Sequence, residues 1–218
     1  MRNNSGCHFD LDAVSALTEK LLAEGGCDCS REQLGQLCRL VELLHAWNSR
    51  INLTAVRNPL EMVTLHIMDS ASVLPYIRGR NIADAGTGAG FPGMVLAVLC
   101  PEKNFTLIDS GAKKISFVRN ACTGLKLDNV TAVRMRCEDF KPPEKFDCVV
   151  SRAFAPLDKM LAWCWHLVGT EGIFVAMKGH TEEAELKSIP ANVIIEQIAE
   201  LKVPGLNASR QAVIIRKA

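Results

Sequence analysis

The architecture of this chain follows from one glycine-rich segment, Ile82-Ala83-Asp84-Ala85-Gly86-Thr87-Gly88-Ala89-Gly90-Phe91-Pro92-Gly93. An apolar run reaches Asp84, three glycines follow within five positions, and Pro92 can open a helix. Glycine tolerates positive φ and lets a ligand lie directly on the backbone. The segment therefore predicts a strand, a tight turn and a helix, with a small molecule bound over the turn.

A second acidic residue follows at the spacing of a nucleotide-binding unit. Residues 104–109 have the pattern of the next strand, which ends in Asp109, 23 positions after Gly86. In a nucleotide-binding βαβ unit, a carboxylate about 20 residues beyond the glycines accepts the ribose hydroxyls. We interpret Asp109 in this way. A glycine turn without a ligand is the alternative, but it would require neither acid.

The turn lacks the motifs of dinucleotide-binding and phosphate-binding loops, and this limits the type of nucleotide that it can bind. The dinucleotide fingerprint G-x-G-x-x-G needs glycine at position 91, where the chain has Phe91, and no Walker-A Gly-Lys-Ser/Thr is present. The remaining pattern, Asp-x-Gly-x-Gly-x-Gly, resembles the first motif of class I S-adenosylmethionine-dependent methyltransferases. That cofactor has no phosphate, so the lack of a phosphate loop agrees with it.

Composition sets broad limits on function. The 218 residues are 48% hydrophobic and 22% charged, and no apolar run approaches the roughly 18 residues of a membrane span. The first residues lack a signal-peptide pattern, so we expect a cytoplasmic protein. Cys27 and Cys29 are the only close pair among nine cysteines, and no second pair or nearby histidine completes a metal site. The net charge of +1 neither requires nor excludes a polyanionic partner.

Residues 1–75 are predicted to form a helical extension. Ser30 and Gln33 have the spacing of a capping box, and an apolar stripe at helical spacing runs from there to Trp47. A second helix should begin at Asn58 and end before Pro75. His66 and Asp69 are spaced i, i+3 on the surface of that helix, where we interpret them as a polar pair; a role at a functional site is the alternative.

Residues 76–218 are predicted to form the cofactor-binding domain. Strands and helices alternate from about residue 80, which indicates an α/β fold with a doubly wound, largely parallel sheet. The last two β-rich runs are separated by a Pro-Gly turn and should form an antiparallel hairpin. After the first two strands, the predicted strands cover residues 130–135, 146–150, 172–177, 193–201 and 211–215.

Six short motifs in the same order carry a family resemblance: Trp47-Asn48…Asn52-Leu53-Thr54, His66-Ile67-Met68-Asp69-Ser70, Asp84 to Gly93, Leu107-Ile108-Asp109-Ser110, Ser151-Arg152-Ala153-Phe154 and Met177-Lys178-Gly179. On these motifs, the chain from about residue 34 to its end resembles the small-subunit ribosomal RNA methyltransferase G family, also called glucose-inhibited division protein B. The resemblance implies a Rossmann-like class I fold.

The resemblance also implies an activity and a set of cofactor contacts. Members transfer a methyl group from S-adenosylmethionine to N7 of a guanine in the 530 loop of 16S rRNA, expected to be guanine 527. Carried over by position, the cofactor contacts are Gly86, Phe91, Cys137, Glu138 and Arg152. The family usually has an aliphatic residue at position 91, and position 137 varies. An apolar contact at 91 and a backbone contact at 137 would survive both changes.

Individual roles can be assigned to the residues expected at the strand ends. Besides Gly86 and Gly88 of the turn, we expect Asp109 to bind the ribose, Glu138 to bind the adenine amino group, and Phe91 to form an apolar wall. Three roles are open for Arg152: contact with the cofactor carboxylate, contact with RNA, or pairing with an acid of the protein.

The RNA side of the site is predicted from basic and aromatic residues. We expect Arg136, Lys178 and Arg210 to bind phosphates, and Phe154 or Trp47 to lie near the target base, although burial in the core is the favoured interpretation of Trp47. Guanine N7 carries no proton, so we expect no catalytic base.

Two other classes of function are compatible with the sequence. A small-molecule methyltransferase would keep the cofactor site but have an enclosed acceptor pocket. A noncatalytic RNA-binding assembly module would keep a basic face but bind no cofactor. The expected partner is the 16S rRNA or the small ribosomal subunit, bound by a monomer.

Overall fold

The structure is a computed structural model that describes residues 9–152 and 155–218. Its centre is a seven-stranded sheet in the order β3-β2-β1-β4-β5-β7-β6, with β1 to β5 parallel and β7 antiparallel to both of its neighbours. The strands are β1 (Asn81–Ala85), β2 (Asn104–Asp109), β3 (Val130–Arg134), β4 (Phe146–Arg152), β5 (Val168–Lys178), β6 (Val193–Glu200) and β7 (Gln211–Lys217). The doubly wound sheet and its terminal hairpin are thus confirmed.

The helices lie before and between these strands. They are α1 (Leu11–Glu24), α2 (Arg31–Asn48), α3 (Pro59–Met62), α4 (Asp69–Ala71), α5 (Gly93–Leu99), α6 (Ala112–Leu125), α7 (Leu157–Cys164) and α8 (Glu183–Lys187). A π-helical turn (Val63–Met68) joins α3 to α4, and short 3-10 helices cover Leu74–Tyr76, Cys137–Asp139 and Trp165–Leu167. No helix among the described residues is long and apolar enough to cross a membrane.

Side chains that alternate along the central strands enter two hydrophobic clusters, one on each face of the sheet. Ile82 of β1 joins the cluster that contains α1, α2, α5 and α6, whereas the next residue, Ala83, joins the cluster that contains α7. Parallel strands are usually buried on both faces in this way, and they therefore form nearly continuous apolar runs in the sequence. This is why the inner strands could be located from the sequence.

The N-terminal helices share one of these clusters. Leu37, Leu40 and Leu44 of α2 are fully buried in the same cluster as Ile82 and Phe105 of the sheet. The predicted capping box is present, with a 2.8 Å bond from the Ser30 amide to Gln33 Oε1 and a 3.1 Å bond from the Gln33 amide to Ser30 Oγ. A division of the chain near residue 75 stays a prediction.

The chain order creates a switch point between β1 and β4. From β1 the chain builds outward through β2 to β3, then crosses back to add β4 on the other side of β1. In open α/β sheets a ligand lies at the carboxyl ends of the strands beside such a point. The glycine turn follows β1 at this position, and Asp109 and Arg152 are the last residues of β2 and β4.

The prediction that His66 and Asp69 lie on a helix surface is wrong. They are only 7% and 4% exposed, and they belong to the π-helical turn and to α4. Together with the fully buried Met62 and Val73 they follow the spacing i, i+4, i+7 and i+11, which is the buried stripe of a helix. The two polar residues therefore point toward the rest of the protein.

Candidate cofactor and acceptor sites

The glycine turn combines one open position with one tightly packed position. Gly86 and Gly88 have φ values of +71° and +61°. A Cβ placed on Gly88 would meet no atom within 4 Å, whereas one on Gly93 would lie 2.7 Å from Asp84 Oδ2. The backbone at Gly88 thus borders open space that a ligand can use, while Gly93 is required by packing.

Asp84 holds the turn in shape. It is fully buried, and its Oδ2 accepts hydrogen bonds from the Thr87 hydroxyl (2.6 Å) and the Gly93 amide (2.7 Å). Burial raises the pKa of this carboxyl to about 6, against the effect of both hydrogen bonds. Asp84 therefore acts through the backbone of the turn.

Asp109 connects the end of β2 to the turn. Its Oδ2 accepts from the Gly88 amide at 3.0 Å and its Oδ1 accepts from the Gly111 amide at 2.7 Å. Lys114 Nζ lies 3.4 Å from Oδ2. These donors occupy three of the about four lone-pair positions of a carboxylate. The fourth position can accept from one ribose hydroxyl, and displacement of the long Lys114 contact would free a position for the second.

A crevice of about 60 Å³ lies beside Asp109, at the carboxyl ends of β1, β2 and β3. It is lined by Gly86, Asp109, Ser110, Met135, Arg136, Cys137 and Glu138. Four of the seven predicted cofactor residues thus line one crevice, and a hydrogen bond links a fifth, Gly88, to Asp109.

Cys137 and Glu138 present different groups at this crevice. The Cys137 side chain is buried, and the neighbouring Cys164 thiol lowers the pKa of the Cys137 thiol. The side chain is thus engaged in the core, which agrees with the expected backbone contact at this position. The Glu138 side chain is 37% exposed and lies 3.7 Å from Arg136 Nη1. It is available to accept a hydrogen bond from a ligand.

Phe91 and Arg152 lie on a different side of the turn. The Phe91 ring is 4% exposed and stacks on His66, with ring centroids 4.9 Å apart, while the Arg152 guanidinium lies 5.6 Å from the Phe91 centroid. Phe91 is absent from the lining of the 60 Å³ crevice. Its ring therefore packs between protein groups in this structure.

A second cavity of about 410 Å³ begins at this stack. Its lining includes His66, Asp69, Arg152, Lys178 and Arg210, together with the apolar side chains of Val56, Leu65 and Met177. The Asp69 carboxylate accepts from Arg152 Nη1 at 2.9 Å and from Arg210 Nε at 2.8 Å. Lys178 Nζ forms an ion pair with Glu185 at 2.5 Å. Three cationic side chains from β4, β5 and the residue before β7 thus meet here.

The predicted RNA-binding residues are divided between the two sites. Lys178 and Arg210 line the larger cavity, whereas Arg136 lines the crevice beside Glu138. Trp47 packs edge-on against Phe117, with ring centroids 5.6 Å apart, and lines neither site. Phe154 lies outside the described residues.

Sequence reasoning missed the role of Asp69 and the presence of Met135 at the crevice. The spacing of Met62, His66, Asp69 and Val73 could have indicated that Asp69 is buried. Met135 follows β3 directly, and its apolar side chain is 41% exposed at the crevice wall. An exposed methionine at a strand end is common enough on protein surfaces that it gave no signal.

The residues at the crevice fit S-adenosylmethionine chemically. The cofactor needs backbone close enough to touch, acceptors for two ribose hydroxyls, and an acceptor for the adenine amino group. The open space over Gly88, the Asp109 carboxylate and the exposed Glu138 carboxylate supply these three features.

Comparisons with known proteins identify the family of this chain. Residues 33–214 match the family model described as rRNA small subunit methyltransferase G. A protein named ribosomal RNA small subunit methyltransferase G from Idiomarina loihiensis is 48% identical over 197 residues, which cover 90% of this chain and 96% of the relative. The protein of the same name from Haemophilus influenzae is 45% identical over 203 residues, which cover 93% of this chain and all of the relative.

Solved structures agree at the level of the fold. Coclaurine N-methyltransferase aligns with a TM-score of 0.58 at 9% identity, covering 95% of this chain and 94% of that one. A SAM-dependent methyltransferase from Aquifex aeolicus aligns with a TM-score of 0.54 at 15% identity, covering 68% of this chain and 90% of that one. The predicted class I methyltransferase fold is thereby confirmed. On its sequence, the chain belongs to the rRNA small subunit methyltransferase G family.

Proposed function

We propose that this protein transfers the methyl group of S-adenosylmethionine to N7 of a guanine in 16S rRNA, in the 530 loop at the position expected for guanine 527. The observation that carries the proposal is the pairing of two sites at one edge of the sheet. A carboxylate-lined crevice lies at the glycine turn, and a cationic cavity begins at the Phe91 stack of the same turn.

The crevice binds one part of the cofactor: its volume of about 60 Å³ is well below the roughly 300 Å³ of a small ligand pocket, so the rest of the cofactor extends over the open backbone at Gly88. Gly86 and Gly88 give the ligand access to the backbone, Asp109 accepts from the ribose hydroxyls, and Glu138 accepts from the adenine amino group. Cys137 and Met135 line the same crevice, where the Cys137 backbone and the Met135 thioether would hold the adenine through a backbone contact and an apolar contact. When bound, the cofactor supplies an electrophilic methyl group on a positively charged sulfur.

The larger cavity binds the target nucleotide. Lys178 and Arg210 bind phosphate or base oxygens, and Leu65 and Met177 contact the apolar faces of the base. The N7 edge of a paired guanine is hidden in the deep major groove of A-form RNA, so the target must be unpaired or extruded. A nucleotide in an RNA loop meets this condition at lower cost.

The side chains and backbone of the protein position the two reactants and transfer no proton. Guanine N7 offers a lone pair and carries no proton, so no residue has to act as a base. His66, which stacks on Phe91, is neutral near pH 7 because burial lowers its pKa to about 4. The protein accelerates the reaction by holding the two reactants in line and excluding water.

The structural contacts of Arg152 favour one of its three predicted roles. Its Nη1 donates to Asp69 Oδ2 and to the Leu65 carbonyl at 3.0 Å, so it pairs with an acid of the protein. Its Nε and Nη2 donate to no acceptor among the described residues. These groups are the ones that can contact RNA or the cofactor carboxylate.

The proposed partner is the 16S rRNA or a small-subunit particle, reached in the cytoplasm by a monomer. The decisive experiment compares acceptors with purified protein and labelled S-adenosylmethionine. We expect saturable cofactor binding and transfer to small-subunit rRNA, with no transfer to free guanosine. Transfer to small molecules alone would assign the chain to a small-molecule methyltransferase. RNA binding without cofactor binding would assign it to an assembly module.

A further inference from the structure

The segment that contains His66 and Asp69 concentrates buried polar groups that the proposed chemistry does not use. The Asp69 and Ser70 side chains are nearly or fully buried, and neither His66 Nδ1 nor Ser70 Oγ has a hydrogen-bond partner among the described residues. The π-helical turn before Asp69 is a rare geometry that occurs frequently at functional sites. Such a segment calls for an explanation beyond packing.

Asp69 connects two arginines that arrive from different parts of the sheet. Arg152 ends β4 and Arg210 precedes β7, and β5 lies between these two strands. Each oxygen of the Asp69 carboxylate accepts from one guanidinium, at 2.9 Å and 2.8 Å. The carboxylate is 5% exposed, and the two arginine side chains are 20% and 26% exposed. One buried acid thus fixes two cations that still reach solvent.

An acid at this place is unexpected in a cavity that should attract a polyanion. Among the described lining residues, Asp69 is the sole acid, next to Arg152, Lys178 and Arg210. Without it, the two guanidiniums would repel each other and regain the rotamer freedom of long side chains. With it, Nη2 of each guanidinium still donates to no protein acceptor among the described residues and can bind a ligand.

We propose that Asp69 is the positioning residue of the acceptor site: it holds the guanidiniums of Arg152 and Arg210 in the arrangement that binds the target nucleotide. This inference rests on the proposed function. It predicts that removal of the Asp69 charge changes RNA affinity in the direction opposite to that expected from net charge alone. Removing a negative charge from a basic cavity should tighten RNA binding, whereas loss of the positioning residue should weaken it.

The test uses Asp69→Asn, which keeps the shape of the side chain. We expect its affinity for small-subunit rRNA to fall about tenfold, and the slope of log affinity against log salt to become shallower by about one. S-adenosylmethionine affinity should stay within about twofold, because Asp69 does not line the cofactor crevice. The thermal midpoint, measured on the same samples, checks that the variant is folded.

Glu196→Gln is the matched control. Glu196 pairs with Arg78 at 2.5 Å on the surface, outside the lining of both sites, so this variant also removes one arginine-bound negative charge. We expect a change in RNA affinity of less than about twofold, because exposed ion pairs contribute little.

Arg210→Lys tests the same inference by changing an arginine that pairs with Asp69. It replaces the first test if Asp69→Asn does not fold. Lysine keeps the positive charge but lacks the planar fork that binds Asp69 and a ligand at the same time. We expect it to weaken RNA binding nearly as much as Arg210→Gln. Full rescue by lysine would overturn the proposal.

The outcomes separate this inference from the proposed function. If the wild-type protein neither binds nor methylates small-subunit rRNA, the proposed function fails first. If the wild type is active and Asp69→Asn binds RNA equally well or more tightly, the positioning role is wrong and the function stands. Loss of cofactor affinity with unchanged RNA affinity would place Asp69 in the cofactor site and also overturn the inference.

Discussion

Gly88 and Gly26 have similar positive φ values but different surroundings. A comparison of substitutions at the two positions can therefore distinguish a loss of ligand binding from a loss caused by backbone strain. Gly88 in the turn and Gly26 after α1 have φ values of +61° and +65°, and a Cβ on either would meet no atom within 4 Å. Alanine at either position should therefore cost about 1–2 kcal/mol of stability, from the left-handed backbone alone. Any difference between the two variants reports on what occupies the space above Gly88.

We expect Gly88→Ala to weaken S-adenosylmethionine binding about tenfold or more, because its methyl group enters the space that the cofactor requires. Gly26→Ala should bind the cofactor like the wild type. Isothermal titration measures the affinities, and urea denaturation confirms that the two stability losses match. Equal cofactor affinity in both variants would show that the turn is not a ligand site.

His66 and Asp84, two buried titratable residues near the glycine turn, make opposite contributions to the pH dependence of folding stability. Burial lowers the pKa of His66 to about 4, so between pH 4 and 6.5 the unfolded chain binds a proton that the folded protein does not, and stability rises with pH. Burial raises the pKa of Asp84 to about 6, so between about pH 3.8 and 6 the folded protein binds the extra proton, and stability falls as pH rises.

When one residue of this pair is substituted, the change of stability with pH should reflect the residue that remains. We expect His66→Asn to lose stability relative to the wild type as pH rises from 4 to 6, by about 2 kcal/mol. Asp84→Asn should show the reverse trend. Urea midpoints measured at pH 4, 5 and 6 provide the comparison. A His66→Asn profile parallel to that of the wild type would contradict the assigned protonation of His66.

At the scale of the element, the N-terminal helices are part of the core that supports the cofactor site. Leu40 is fully buried in the cluster that includes Ile82 and Phe105, whereas Leu60 of α3 is 40% exposed. Leu40→Ala should therefore cost about 2–5 kcal/mol, and Leu60→Ala should change stability by less than about 0.5 kcal/mol.

Hydrogen exchange can show whether the extension unfolds with the sheet. We expect Leu40→Ala to reduce the protection of the slowest amides in α2 and β2 by the same amount, because both elements share one cluster. If only α2 lost protection, the helical extension would unfold independently of the sheet. The domain boundary predicted near residue 75 would then be supported.

Most elements could be predicted because their local signals agree with their final environment. The capping box at Ser30 and the apolar strands around Ile82 and Val149 form as their patterns predict. The π-helical turn was not predictable in this way, because the pattern of residues 63–68 is also that of an ordinary α-helical turn. The short helix Glu183–Lys187 was also missed.

At the scale of the whole molecule, the sequence predicted the cofactor side better than the acceptor side. Gly86, Asp109, Cys137 and Glu138 come together because parallel strands bring their carboxyl ends to one edge. The cationic cavity combines residues from α4, β4, β5 and the residue before β7, over a sequence separation of 141 residues between Asp69 and Arg210. No local pattern encodes that meeting, which also explains why Arg136 was grouped with Lys178 and Arg210.

The central claim is that the crevice and the cavity bring one methyl donor and one guanine of 16S rRNA together. Its most direct test maps methylated nucleotides by mass spectrometry in 16S rRNA from cells that have or lack this protein, with a Gly88→Ala strain in parallel. We predict one 7-methylguanosine in the 530 loop, present only with the wild-type protein and strongly reduced with Gly88→Ala. An unchanged modification pattern after deletion, or a lost methyl group on another atom or molecule, would contradict the claim.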